Sequence, residues 1–198
     1  MMRGAFSPIG CRRAVGLWTA CLWLWLTLLP GQLFAAPPSE EYELKAALIY
    51  KLSKFVGWPD PVEISGPRPF GICVLGEDAF GSALDVLETR KTGGRAIQVK
   101  RVAQSESIDS SCQVVFISES KRPFLQPILR SLEAQPILTL SDSEGFAEQG
   151  GIIELTRSEK RVGFKINLQS AKHSGLKISA PLLELATVIG SSDGQAEK

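Results

Sequence analysis

The chain has 198 residues, of which 44% are hydrophobic and 22% are charged, as in a globular protein of one domain. Its 22 basic and 21 acidic residues give a net charge of +1, which argues against a nucleic-acid-binding protein, because such proteins carry a basic excess on one face. The single histidine, His173, excludes two-histidine zinc sites and facial-triad iron sites.

The first 35 residues have the pattern of a secretory signal peptide. Arg3 and the arginine pair 12–13 precede the uncharged run 14–29, AVGLWTACLWLWLTLL, and small residues follow. We predict cleavage near Ala35 and export of the remaining chain across a membrane. An uncleaved membrane anchor, a lipid on Cys21 and twin-arginine export are the alternatives. All of them place the folded domain on the far side of a membrane.

A short linker, residues 36–41, leads into a predicted helix over residues 42–56. Apolar residues recur there at the spacing of an amphipathic helix, and Gly57 and Pro59 end it. The residues that follow this spacing are Leu44, Ala47, Leu48, Lys51, Leu52 and Phe55.

From Phe70 onward, short apolar runs alternate with helical segments. The predicted strands are FGICVLG (70–76), AIQVKRV (96–102), CQVVFIS (112–118), PILTLS (136–141), IIELT (152–156) and VGFKINL (162–168). The predicted helices cover residues 78–88, 122–134, 145–149 and 179–189, and residues 191–198 form a disordered tail.

This order of elements predicts a single α/β domain over residues 42–190. The sheet is expected to be mostly parallel, in flavodoxin- or Rossmann-like layers, with the N-terminal helix packed on it. The last two strands are expected to form an antiparallel hairpin at the edge of the sheet.

Two cysteines, Cys73 and Cys112, remain after the predicted cleavage, in the first and the third strand. In an exported domain such a pair commonly forms a disulfide, which would require the two strands to be close together. This favours a sheet order in which the first strand lies between the second and the third. Two buried free thiols and a redox-active pair are the alternatives, although the C-x-x-C spacing of redox pairs is absent.

Gly76, Glu77 and Asp78 follow the first strand. Ligands of open α/β sheets bind at the carboxyl ends of strands, so these residues are candidates for a ligand crevice. A helix N-cap followed by a turn is the alternative interpretation. The sequence contains neither of the glycine-rich phosphate-binding motifs, and we predict no cofactor.

The candidates for catalysis are few. His173 lies among polar residues, and without a G-x-S-x-G motif it is interpreted as a solvated surface histidine. A carboxylate site could be formed by Glu77, Asp78, Glu144 and Glu154 if the fold gathered them. Acids at loop ends are more often caps or solvated charges, and we therefore predict that the protein is not an enzyme and holds no metal.

Aromatic residues near the predicted first helix are candidates for a partner-binding surface. Tyr50, Phe55 and Trp58 lie in the segment YKLSKFVGWPD, and aromatic residues dominate binding hot spots. The alternative is a packed helix with Trp58 covering the core. The apolar residues of the last predicted helix could likewise contact a partner or pack in the core. They are Leu182, Leu183, Leu185 and Ile189.

Several segments together resemble the YfiR family over about residues 41–189: KAALIYKLSKFVGWP, ICVLGEDAFG, CQVVFIS, ILTLSDSEGFAEQGGIIEL and VGFKINLQSAKHSGLKIS. The resemblance implies a periplasmic α/β domain that is not an enzyme. It also implies that the domain binds the periplasmic part of an inner-membrane diguanylate cyclase and represses it. Cyclic-di-GMP would then stay low, which links the protein to biofilm regulation.

Cys73 and Cys112 match a cysteine pair of the family. Some members have further cysteines in the C-terminal half, and this chain has none there, so a switch that depends on a second disulfide cannot operate. Two other functions stay open: a small-ligand sensor or solute-binding module for another membrane receptor, and an exported hydrolase that would use His173 or the acids. A homodimer is plausible because symmetric pairing is common.

Overall fold

A computed structural model describes residues 40–59, 68–103, 105, 108–158 and 161–190. The predicted signal peptide with its cleavage near Ala35, most of the predicted linker and the predicted tail lie outside these residues. The first helix begins at Glu40, so the last two residues of the predicted linker are helical.

The described residues form five α-helices and ten strands. The helices are α1 (Glu40–Lys54), α2 (Ser82–Asp85), α3 (Leu125–Leu132), α4 (Leu168–His173) and α5 (Ala180–Glu184). The strands are β1 (Val56–Gly57), β2 (Phe70–Leu75), β3 (Lys91–Thr92), β4 (Arg95–Val102), β5 (Cys112–Ile117), β6 (Leu138–Ser141), β7 (Ile153–Ser158), β8 (Arg161–Asn167), β9 (Lys177–Ile178) and β10 (Thr187–Ile189). A 3₁₀ turn, Val86–Thr89, follows α2, and another, Glu119–Phe124, precedes α3.

Eight of these strands form one sheet in the order β10-β8-β7-β6-β5-β2-β4-β3. Neighbouring strands from β4 to β7 pair in parallel, and β8 returns antiparallel to β7. The predicted α/β class, the mostly parallel sheet, the antiparallel pair and the N-terminal helix are therefore confirmed. The order β4-β2-β5 also agrees with the expectation drawn from the cysteine pair. A second, small sheet pairs β1 with β9.

The central strands β2, β5 and β6 are buried on both faces, as their largely apolar runs indicate. On β2, Ile72 and Val74 face the core beneath α1, and Cys73 and Leu75 face the core beneath α3. Side chains alternate across a strand, so one run of six apolar residues supplies both cores.

The end of the chain differs from the sequence-based expectation. The helix predicted over residues 179–189 ends at Glu184, and Thr187–Ile189 is a strand that pairs with β8 outside the antiparallel pair. All three of these residues are β-branched and favour extended backbone, and the free edge of β8 supplies hydrogen-bond partners. Tertiary pairing therefore overrides the helical spacing of the leucines.

Three other predicted helices also changed. Residues 145–149 form turns, since Gly145 (φ 77°) and Gly150 (φ 105°) adopt left-handed backbone. The helix expected from residue 78 begins at Ser82, and the one expected from residue 122 begins as α3 at Leu125, after the 3₁₀ turn. Helix α4 was not predicted, because its six residues are too few to show a periodicity.

Candidate functional site

A cavity of about 450 Å³ opens where β5 and β6 end. The first turns of α1 and the β7–β8 pair complete its walls. Charged and aromatic side chains dominate the lining, among them Glu41, Tyr42, Lys45, Arg122, Asp142 and Arg157. A cavity at the carboxyl ends of parallel strands is where open α/β folds bind ligands.

A network of ion pairs centred on Lys45 forms the inner wall of the cavity. Lys45 is only 5% exposed, and its Nζ lies 2.5 Å from Oδ2 of Asp142 and 2.7 Å from Oε1 of Glu41. Glu41 also pairs with Arg157. The network therefore ties the start of α1 to the end of β6 and to β7.

In this network the pKa values of Lys45 and Tyr42 are raised and the pKa of Glu41 is lowered. Burial by itself would lower the pKa of Lys45, but hydrogen bonds to Asp142 and Glu41 stabilise the ammonium, so the pKa is raised. The hydrogen bond from Lys45 lowers the pKa of Glu41. Burial, and next the charge of Asp142, raise the pKa of Tyr42. At neutral pH the network thus holds a charged lysine, a charged Glu41 and a neutral tyrosine.

Tyr42 connects the network to the hydrophobic core. The ammonium of Lys45 lies 4.4 Å from the centre of its ring, and the ring meets Phe80 edge to face at 5.1 Å. Phe80 in turn meets Phe116 of β5 at 4.7 Å. A change in the position of Tyr42 at the cavity would therefore disturb the packing of Phe80 and Phe116 in the core.

Asp142 lies in the segment SDSEGFAEQGGIIEL, and hydrogen bonds on both sides of it fix the backbone of this segment. Ser141 donates a hydrogen bond of 2.7 Å to the backbone carbonyl of Ile117 on the neighbouring strand. Glu154, which is 2% exposed, accepts from the backbone N–H of Ala147 and lies 3.1 Å from Nζ of Lys165. The buried carboxylate therefore stabilises the turn that follows Asp142.

At the predicted ligand crevice, residues of the protein itself lie close to Gly76, Glu77 and Asp78. A side chain at Gly76 would meet Oγ of Ser120 at 2.6 Å, and the N–H of Glu77 donates to the same oxygen. Asp78 accepts from the N–H of Phe80 and pairs with Arg101 at 2.8 Å. The 3₁₀ turn Glu119–Phe124 thus covers the end of β2, and a ligand role for Gly76, Glu77 and Asp78 stays a prediction.

The structure contains a disulfide between Cys73 of β2 and Cys112 of β5, with Cα atoms 5.7 Å apart. Both cysteines are buried, in the core beneath α3. The bond therefore links two central, adjacent strands and is shielded from solvent.

The other candidates for chemistry lie apart from one another. His173, at the end of α4, is more than half exposed, and its Nε2 lies 3.5 Å from Glu133. Glu144 lines the cavity, whereas Glu154 is buried beside Lys165 and Asp78 pairs with Arg101. Within the described ranges, no three histidine, cysteine, aspartate or glutamate residues come together as metal ligands. Among the same residues, every helix is too short or too polar to span a lipid bilayer.

The three candidate partner-binding aromatics differ in exposure. Phe55 is 45% exposed. Trp58 is half-buried and meets Phe70 edge to face at 5.1 Å, as in the interpretation in which it covers the core. Tyr50 is half-buried, with its hydroxyl 3.4 Å from the carbonyl of Lys91. Of the C-terminal candidates, Leu182 is buried and Leu185 is 76% exposed.

The solvent side of α1 carries apolar residues. The sequence predicted their helical spacing but not whether they are buried or exposed. The buried side consists of Lys45, Ala46, Ile49, Leu52 and Ser53. On the opposite side, Leu44 is 48% exposed, Ala47 is exposed and Leu48 is half-buried. Both sides of this helix are therefore partly apolar, and only one is covered within the described residues.

Comparisons with known proteins give a family and a set of distant structural matches. The family model described as YfiR/HmsC-like matches residues 42–187. Similar solved structures include a conserved domain protein from Vibrio cholerae O1 biovar El Tor and the ABC domain of a Streptococcus pneumonia protein in complex with L-Trp. Each is 12% identical with a TM-score of 0.48; the matches cover 74% and 75% of this chain, and 59% and 60% of the two structures. The chain thus spans about three fifths of their length.

Proposed function

Because the chain belongs to the YfiR/HmsC-like family of periplasmic regulators, we propose that it binds the periplasmic part of an inner-membrane diguanylate cyclase and represses it. The observation that carries this proposal is the family match, which spans nearly all of the described residues. The family is regulatory and is not known as catalytic. The buried disulfide is consistent with an oxidising compartment such as the periplasm.

The mechanism that we propose is a shift of the cyclase between an active and an inactive state. A bound regulator moves this equilibrium only by the difference between its affinities for the two states. To take the receptor from 99% active to 99% inactive, the difference must be about 10⁴-fold, or roughly 5.5 kcal/mol. Loss of binding to the inactive state is therefore enough to release the cyclase.

Deletion of the gene is expected to raise cellular cyclic-di-GMP. The full chain should restore the low level, and a version that lacks residues 1–35 should not, because it would not reach the periplasm. The measurement is cyclic-di-GMP in extracts of the parent strain, the deletion strain and the two complemented strains. An unchanged level after deletion would contradict the proposal.

We propose Tyr50, Phe55 and Trp58 as receptor contacts, of which Phe55 is the most exposed. Complementation with Phe55→Ser tests this contact, and Phe124→Ser is the matched control, because Phe124 is 61% exposed and lies on a different element. We expect the control to repress and Phe55→Ser to repress less. Equal repression by both would remove Phe55 from the contact surface.

A second candidate function, a sensor of a small charged ligand, is favoured by the cavity beneath α1. Its volume of about 450 Å³ suits a small molecule, and its rim carries both acids and bases. A ligand that binds the folded state raises the melting temperature by mass action. We expect some member of a panel of amino acids and dicarboxylates to raise it, and Arg122→Ala to weaken the effect. No shift with any compound, at concentrations up to about 10 mM, would leave the cavity without a ligand of this class.

A further inference from the structure

The structure points to a second use of α1: we propose that two copies of the protein associate through the solvent side of this helix, with the two helices antiparallel about a twofold axis near Ala47. The proposal concerns a second copy of this chain and does not depend on the diguanylate cyclase. It rests on the arrangement of charges and apolar residues on the exposed side of α1, taken in the next three steps.

The charges of this side are arranged symmetrically around Ala47. Glu43 and Lys51 lie four residues before and after it, and Glu40 and Lys54 lie seven residues before and after it. All five residues are exposed. Spacings of four and seven residues return to the same side of an α-helix, so the five form one line along α1. The line begins with two acidic residues, has the small side chain of Ala47 in the middle and ends with two basic residues.

Such a line is complementary to itself only when it is turned around. In an antiparallel pair centred on Ala47, Glu43 of one copy lies opposite Lys51 of the other, and Glu40 lies opposite Lys54. The twofold axis produces each pair twice, as an isologous interface requires. Antiparallel packing also places the positive end of one helix dipole beside the negative end of the other.

Apolar side chains flank the charged line on one side. Leu44 and Leu48 lie four residues apart, one turn of α1, beside Ala47; Leu44 is nearly half exposed and Leu48 is half-buried. A twofold axis perpendicular to the helix pair keeps the flanks of both copies on the same side, where they can pack together. The small side chain of Ala47 allows the helices to approach closely at the centre.

The same charges find few partners within one copy. Glu43 and Lys51 are eight residues apart, about 12 Å along the helix, too far to pair directly. Among the described residues, none of the four forms an ion pair, although Lys54 lies over the ring of Tyr50 at 4.4 Å. A parallel partner helix would place acid against acid and base against base. The pattern therefore selects both the partner and its direction.

The test is sedimentation equilibrium of the exported protein purified from the periplasm. Protein concentrations from about 1 µM to about 1 mM cover the dissociation constants expected for a small interface. We expect a concentration-dependent dimer. Glu43→Lys and Lys51→Glu should each raise the dissociation constant by about tenfold or more, because each places like charges in contact twice. Lys172→Glu, a charge reversal at an exposed position on α4, is the matched control and should leave the constant unchanged.

Mixing the two variants distinguishes this geometry from a general charge effect. A protomer with Glu43→Lys and one with Lys51→Glu restore both opposite-charge pairs only in the antiparallel register, so the mixture should dimerise as tightly as the wild type. A monomer throughout the concentration range, or a mixture that stays dissociated, would overturn the proposal. A monomeric protein whose Lys51→Glu variant loses repression would assign the surface to the receptor and overturn self-association.

Discussion

Replacing both Cys73 and Cys112 by alanine is expected to lower the free energy of unfolding by about 4 kcal/mol. The disulfide closes a loop with a sequence separation of 39, and the chain-entropy relation gives a stabilisation of this size. Domains of this kind are stable by only about 5–15 kcal/mol, so the variant would lose a large share of its stability. Urea unfolding of the wild type and the double variant measures the difference.

Alanine is the appropriate replacement because both positions are buried, and serine would bury an unpaired hydroxyl. Dithiothreitol provides the internal control. It should shift the midpoint of the wild type toward that of the variant, and it should leave the variant unchanged. If the oxidised wild type and the variant unfold at the same urea concentration, the disulfide contributes nothing to stability and its role must be sought in regulation.

Lys45→Met is expected to destabilise the protein by about 3 kcal/mol at pH 7, because it leaves the carboxylates of Asp142 and Glu41 together without their shared cation. Methionine keeps the length of the aliphatic chain, so the loss of packing is small. Urea unfolding measures the cost. Lys172→Met, at an exposed lysine, is the control and should cost less than about 0.5 kcal/mol.

The pH dependence separates this charge effect from a packing effect. The pKa of Glu41 is lowered in the folded state, so its contribution to stability is present above the usual glutamate pKa of 4.5 and is lost as the pH falls through the folded pKa. The pKa of Lys45 is raised, so its contribution is present below 10.5 and is lost as the pH rises through the folded pKa. The cost of Lys45→Met should therefore be largest between these values and smaller at pH 3. An equal cost at pH 3 and pH 7 would mean that packing dominates.

Much of the sheet could be predicted from local sequence. The runs FGICVLG and CQVVFIS are apolar without interruption, which is the property of strands buried on both faces, and they became β2 and β5. The cysteine in each run supplied one long-range restraint, and the strand order β4-β2-β5 agrees with it. Strand β10 was missed, because three residues acquire strand geometry only through the edge that they join.

The candidate site could not be predicted in the same way. Glu41 and Lys45 come from α1, whereas Asp142 and Arg157 lie about one hundred positions later, after β6 and on β7. Each of these residues has the local sequence of an ordinary surface charge. The 3₁₀ turn that follows β5 lies against Gly76 at the end of β2, and no local pattern at Gly76 indicates this contact.

The sequence by itself determined the class of the fold, the family, the buried strands and the helical spacing of α1, because these depend on composition, on shared motifs and on periods of two to four residues. Only the tertiary structure decided which side of α1 is buried and where the cavity opens. Apolar residues lie on both sides of that helix, and the side that packs is the one whose Lys45 finds Asp142 and Glu41 as partners. Burying a charge is costly without such partners; Glu41 is one helical turn away from Lys45, but Asp142 is brought beside it only by the complete chain.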